Sequence, residues 1–129
     1  MENPAPTPSK TALWTGRVMT TLPVLLLLFS AGMKLAGPPD LAKGFAHLGI
    51  PLNHALGLGL LELTCAIIYV IPCTSVFGAV LLTGYLGGAI QAHVRVGDPY
   101  FMQIILGVVL WGGLYLRDPR LRALLPFVR

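Results

Sequence analysis

Residues 55–71, ALGLGLLELTCAIIYVI, form an apolar run with one acidic side chain, Glu62, and Pro72 stops it. At 1.5 Å per residue such a run makes a helix of about 25 Å, close to the thickness of a bilayer's hydrocarbon core. On a helical wheel Glu62 shares a stripe with Gly59, Cys65, Ala66 and Tyr69, while Leu61, Leu63, Ile67 and Ile68 occupy much of the remainder. The run therefore reads as a membrane span whose small and polar side faces other helices. A charge inside hydrocarbon costs roughly 2.5–3.5 kcal/mol on insertion scales, so one retained there has a partner or a task.

Three more apolar segments flank this one, giving spans at about 14–36, 55–71, 76–94 and 100–116. The first carries Pro23 and ends at Gly37-Pro38-Pro39; its Arg17, Leu22 to Phe29 and Ser30-Ala31-Gly32 also imitate a secretory signal, although the apolar stretch is long for one. Between the first two spans, Asp40 is placed to N-cap a short amphipathic helix, Leu41 to Leu48, which Gly49 closes. It is too short to span and reads as a lid along the membrane surface. The brief turn Pro72 to Ser75 forces a hairpin into the third span, whose Gly84, Gly88 and Ala92 form a small-residue ridge suited to close helix packing. Residues 1–13 read as a disordered cytoplasmic lead, and residues 117–129 as a basic tail in which Asp118-Pro119 opens an interfacial helix.

Composition agrees with this all-α, integral membrane four-helix bundle. Of 129 residues 55% are hydrophobic and 11% charged, and the mean hydropathy is +0.76. Four spans use most of these residues and leave no room among them for a soluble catalytic module. The net charge of +4 and pI near 9.4 come from basic residues spread along the chain and gathered beside the last span, which suits an anionic lipid surface and no nucleic acid. With both termini on one side, that side holds Lys10, Arg17, Arg117, Arg120, Arg122 and Arg129, against Lys34, Lys43 and Arg95 on the other. The excess predicts cytoplasmic termini in a multi-pass protein of the cytoplasmic (inner) membrane.

Threading the spans back and forth brings Lys34, Glu62, Gln91, His93, Arg95 and Gln103 to one end of the bundle. Glu62 is the deepest ionisable group and the candidate acid or base; Lys34 or Arg95 is its candidate partner. Gln91 and Arg95 are four apart and are expected to face inward, with His93 about 200° away and inward only if the helix ends near Ala92. His47, His54 and His93 make no metal-binding pattern, and the chain has no evident cofactor motif or redox centre. Cys65 and Cys73, eight apart on one expected helix, stand about 12 Å from each other and cannot bridge.

In chain order the motifs are Gly32-Met33-Lys34-Leu35, Leu48-Gly49-Ile50-Pro51, Leu61-Glu62-Leu63, Gly87-Gly88-Ala89 leading to His93-Val94-Arg95, then Trp111 and Leu116-Arg117-Asp118-Pro119-Arg120-Leu121-Arg122. In these the chain resembles the DoxX-like family of small four-span bacterial membrane proteins, over nearly everything after Trp14. The resemblance implies a four-helix membrane bundle and a loose association with membrane redox, since the family's namesake resembles the small subunit of a thiosulfate:quinone oxidoreductase. Lys34, Glu62, His93 and Arg95 match the family's recurrent polar positions and carry over as a site without an established role.

Three functions follow as expectations. The first is an accessory or small-molecule-handling subunit linked to quinone or thiol redox chemistry, with a quinone or similar lipophile docking beside Lys34, Glu62, Gln91 and Arg95. Its partner would be a membrane oxidoreductase or biosynthetic enzyme, or a further copy of the chain. The second is a cofactor-free membrane isomerase, cyclase or epoxide-opening enzyme using Glu62. The third is an assembly factor docking through Gly84, Gly88 and Ala92.

Overall fold

The computed structural model describes residues 7–125, and its first helix, α1 (Lys10–Ala36), starts four residues ahead of the expected Trp14. Ser9 explains the earlier start, because its hydroxyl accepts the Ala12 N–H at 3.1 Å and satisfies an open donor of the first turn. The lead's residues 1–6 and the tail's residues 126–129, Arg129 included, lie outside the described residues. The helix α1 runs through Pro23 and ends where Gly37, at φ 68°, donates its N–H to the Met33 carbonyl.

Next, α2 (Pro39–Leu48) begins two residues earlier than expected, with Pro39 in the first turn and Asp40 inside the helix, not at the N-cap. Proline suits that position because its missing N–H would be unpaired anyway, and Asp40 then complements the positive end of the helix dipole. A 3₁₀ turn, Leu52–His54, leads into α3 (Ala55–Val70), and a second, Pro72–Thr74, into α4 (Ser75–Arg95). The last span is α5 (Phe101–Arg117), followed by the short α6 (Pro119–Leu124). Each of α1 and α4 packs against both α3 and α5, so the four long helices close into a ring. Leu27, Tyr69, Leu82, Leu110 and Leu114 fill its interior.

The outer surface is apolar. Leu22, Leu25, Phe29, Phe77, Val80, Ile105 and Val108 are all exposed, while the acid Glu62 is 1% exposed. That inversion of the soluble pattern is what a bilayer demands. Three helical stretches, Lys10–Ala36, Leu52–Val70 and Pro72–Arg95, are long and apolar enough to cross a membrane. At 17 residues, α5 is shorter and apolar, and closes the ring against α1 and α4. The protein is an all-α membrane helical bundle.

Glycine sets the closest helix approaches, but at other positions than the expected ridge. A Cβ on Gly78 would stand 2.4 Å from the Tyr69 backbone, and one on Gly16 would stand 2.7 Å from the Gly113 carbonyl oxygen. These two contacts join α3 to α4 and α1 to α5. By contrast, a Cβ at Gly84, Gly87 or Gly88 would meet nothing within 4 Å among the described residues. The small side of α4 faces open space, so close packing along that ridge is not found within the chain. Gly88→Ala is accordingly expected to raise the thermal midpoint in detergent, with a helix-propensity gain of up to about 1 kcal/mol. A fall of similar size would mean that the position is packed.

Side-chain hydrogen bonds tie the ring together. Tyr69 donates to the Leu110 carbonyl at 2.5 Å and its oxygen lies 3.4 Å from Thr20 Oγ1, linking α3 with α5 and α1. Trp111 donates to Thr83 Oγ1 at 2.7 Å across α4 and α5. In the tail, Asp118 accepts the Arg120 N–H at 2.9 Å, as an N-cap does, and Leu121 is buried. Arg122 turns back to the Tyr115 and Leu116 carbonyls at 2.9 and 2.6 Å, capping α5. Burial works against ionisation of Asp118, but the Arg120 hydrogen bonds and charge outweigh it and hold the carboxyl below its ordinary value. The stability this lends α6 is present above the unfolded carboxylate pKa, about 3.9, and is lost as pH falls through the folded value.

Candidate functional site

Three helices build a polar cluster around Glu62. The α3 stripe that holds Gly59, Glu62, Cys65, Ala66 and Tyr69 is buried throughout, which turns the carboxyl group inward. Lys34 Nζ, from the last turn of α1, donates to Glu62 Oε2 at 2.8 Å and to Ser30 Oγ at 2.7 Å. Ser30 lies four residues before Lys34, hence directly above it on the same face. Its hydroxyl donates to Glu62 Oε2 at 3.3 Å, and the Tyr85 hydroxyl from α4 donates to the same oxygen at 2.6 Å. Among the described residues every hydrogen bond to Glu62 falls on Oε2, leaving Oε1 without a partner. Close approach of α1 and α3 makes the pair possible: a Cβ on Gly59 would lie 3.0 Å from Lys34 Cβ.

The cluster forms one wall of a cavity of about 800 Å³. The rest of the lining is largely apolar, with Leu26, Phe29 and Met33 from α1, Phe45 from α2, Leu61 from α3 and Leu106 from α5. Leu26, Phe29 and Leu61 are also half or more exposed on the outer surface, so the cavity opens sideways onto the apolar exterior of the bundle. On α4 its lining includes Gly84, Tyr85, Gly88, Ala89, Ala92 and His93. The absent side chains of Gly84 and Gly88 enlarge this space instead of drawing a helix in.

Of the residues singled out by sequence, Lys34, Glu62, His93 and Gln103 line the cavity, and Gln91 and Arg95 do not. Gln91 and Arg95 are exposed, contrary to the inward placement expected of them. α4 stays helical to Arg95, and Gln91 and Arg95 continue the line of Gly84 and Gly88 at one margin of a cavity face centred near Tyr85, Ala89 and Ala92; toward the end of the helix that margin passes outside the cavity to the surface. The guanidinium of Arg95 instead reaches the end of α2, with Nη2 3.2 Å from where a Gly49 Cβ would stand. His93 faces the cavity without the helix ending early, its Nδ1 2.7 Å from the Ala89 carbonyl oxygen. Gln103 Oε1 is buried and has no partner among the described residues.

Ser30 and Tyr85 are absent from the sequence expectation. Ser30 was legible from its four-residue spacing to Lys34, and Tyr85 from the rule that a phenol within a membrane helix needs a hydrogen-bond partner. Cys65 is buried and Cys73 exposed in the turn after Pro72, both as free thiols.

The amphipathic α2 covers one end of the cavity through Leu41, Gly44, Phe45 and Leu48. It is fastened to the α4–α5 loop, His47 Nε2 lying 2.8 Å from Asp98 Oδ2 with both side chains partly in solvent. An exposed pair of this kind contributes at most about 1 kcal/mol. His47→Ala is therefore expected to speed amide exchange across residues 39–48 by up to about fivefold while leaving the spans unchanged. No change in exchange would mean that the pair does not hold the lid.

Fold and site together define a small membrane helical bundle whose ion-paired acid borders an apolar, sideways-opening cavity. The DoxX-like family model matches residues 18–113, and the chain belongs to that family. No curated protein and no solved structure matches it.

Proposed function

We propose that the protein takes up one lipophilic molecule with a polar head from the bilayer, as an accessory or small-molecule-handling subunit beside membrane quinone or thiol redox chemistry. One observation carries this reading: the buried carboxyl of Glu62, ringed by Lys34, Ser30 and Tyr85, borders an apolar cavity of about 800 Å³. Small-molecule sites combine such apolar walls with a few fixed polar groups. The sideways opening at Leu26 and Phe29 supplies a route from lipid, and α2 shields the polar end. The redox association rests on family membership. Cytoplasmic-membrane placement with both termini inside rests on the basic-residue asymmetry, and terminal reporter fusions test it.

A photoreactive long-chain alcohol tests the uptake itself. Irradiation in nanodiscs is expected to label residues around the cavity such as Phe29, Met33 and Ala92, and Ala89→Phe is expected to cut that labelling severalfold by pushing a ring into the space. Uniform labelling of the outer surface, unchanged by Ala89→Phe, would contradict the reading.

A second reading has its own support. Glu62 Oε1 has no partner among the described residues, so it is free to exchange a proton with a bound molecule, as a general acid or base requires. Turnover of lipophilic epoxides or polyenes by the isolated protein, lost in a Glu62→Gln variant that remains folded, would favour a cofactor-free enzyme.

A further inference from the structure

The hydrogen-bond balance of the cavity wall bears on what the ligand's polar head is, given the uptake reading above. The hydroxyl hydrogens of Ser30 and Tyr85 are both directed at Glu62 Oε2, at 3.3 and 2.6 Å. Lys34 directs one N–H to that oxygen and another to Ser30 Oγ, at 2.8 and 2.7 Å. An ammonium has three donors, so one N–H is left.

Beside it two acceptors are open, on Glu62 and His93; of the other polar residues lining the cavity, Asp40 adds acceptors and the Gln103 amide both donates and accepts. Paired with Lys34 as a carboxylate, Glu62 retains the lone pairs of Oε1, which no described residue engages. At His93, the Ala89 carbonyl can only accept, so the Nδ1 lying 2.7 Å away carries the hydrogen. In the neutral ring Nε2 is then a bare acceptor. Glu62 and His93 both line the cavity.

We infer that the site takes a lipophilic alcohol or phenol, the reduced member of a ketone–alcohol or quinone–hydroquinone pair, in preference to the oxidised member. A hydroxyl donates to Glu62 Oε1 and accepts the remaining Lys34 N–H, meeting both needs with one group. A carbonyl oxygen only accepts, and would leave the carboxylate oxygen stripped of water in an apolar space. Nε2 of His93 accepts from a second hydroxyl where the ligand has one.

Decylhydroquinone and decylbenzoquinone share ring and tail and differ in whether the head donates or accepts. Their binding to the full chain in nanodiscs, measured anaerobically and corrected for partition into empty discs, is expected to favour the hydroquinone about tenfold or more. Glu62→Gln is expected to shrink this ratio to within about threefold, and His93→Phe, a substitution at the cavity margin that spares the Glu62 cluster, to reduce it by a smaller factor. Equal binding of both forms, or tighter quinone binding, would overturn the donor assignment while leaving the uptake reading standing. Binding of neither form would overturn both. A ratio unchanged in both variants would remove Glu62 and His93 as its source.

Discussion

Glu62→Ala is expected to destabilise the bundle by about 3–5 kcal/mol, the range found when one partner of a buried ion pair is removed. The cost arises on the other side of the pair. Lys34, whose side chain is 15% exposed, would keep its charge with only Ser30 as a partner, and the Tyr85 hydroxyl would lose its acceptor. Replacing both ends together, as Lys34→Met with Glu62→Leu, is expected to recover most of that loss, because no unpaired charge is then left in the interior. Reversible unfolding in mixed micelles checks this through a double-mutant cycle, with a coupling energy above about 1.5 kcal/mol expected. A Glu62→Ala variant within about 0.5 kcal/mol of the parent would show that the pair does not stabilise the bundle.

Gly78→Leu is expected to prevent the native hairpin of α3 and α4 from forming. Its Cβ would fall 2.4 Å from both Cα and N of Tyr69, against backbone that cannot rotate out of the way as a side-chain tip can. Relief would require α4 to move outward, breaking the Ser75 hydroxyl's bonds to the Tyr69 and Ile71 carbonyls at 2.7 and 3.0 Å. Ordinary overpacking costs about 1–3 kcal/mol; a backbone clash at a helix crossing exceeds that range. The contrast with Gly88 is the informative part. Gly78→Leu is expected to be recovered as aggregate or to unfold at much lower denaturant, whereas Gly88→Leu folds and only narrows the cavity. Equal behaviour of the two variants would mean that the helix approaches differ from those described.

How far the fold can be read from sequence differs sharply between α3 and α4. The apolar residues of α3 leave one stripe of small and polar side chains, and that stripe is the buried one, from Gly59 to Tyr69. The hairpin connections then carry Lys34 to the same end as Glu62. In α4, glycine, alanine and polar residues occur around most of the helix, so no single stripe stands out and the wheel leaves its rotation undetermined. Gly84 and Gly88 suggest a packing ridge by their spacing, yet packing depends on what lies opposite, and opposite them is a cavity. The same ambiguity hides Tyr85 and misplaces Gln91 and Arg95. Ser30 is obscured for another reason: beside Ala31 and Gly32 it imitates a cleavage site, although its spacing to Lys34 points to the cluster. The return of Arg122 to the end of α5 depends on the chain direction after Pro119, which a period of hydrophobicity does not encode.

Native mass spectrometry of the protein extracted from its own membrane tests uptake of a lipophile at Glu62 most directly. The parent chain is expected to retain an organic adduct of discrete mass, extractable into solvent, and Ala89→Phe, which pushes a ring into the cavity and leaves the ion pair in place, is expected to lose most of it. Recovery of the bare chain under conditions that preserve other bound lipids, or an adduct retained equally by Ala89→Phe, would contradict the account.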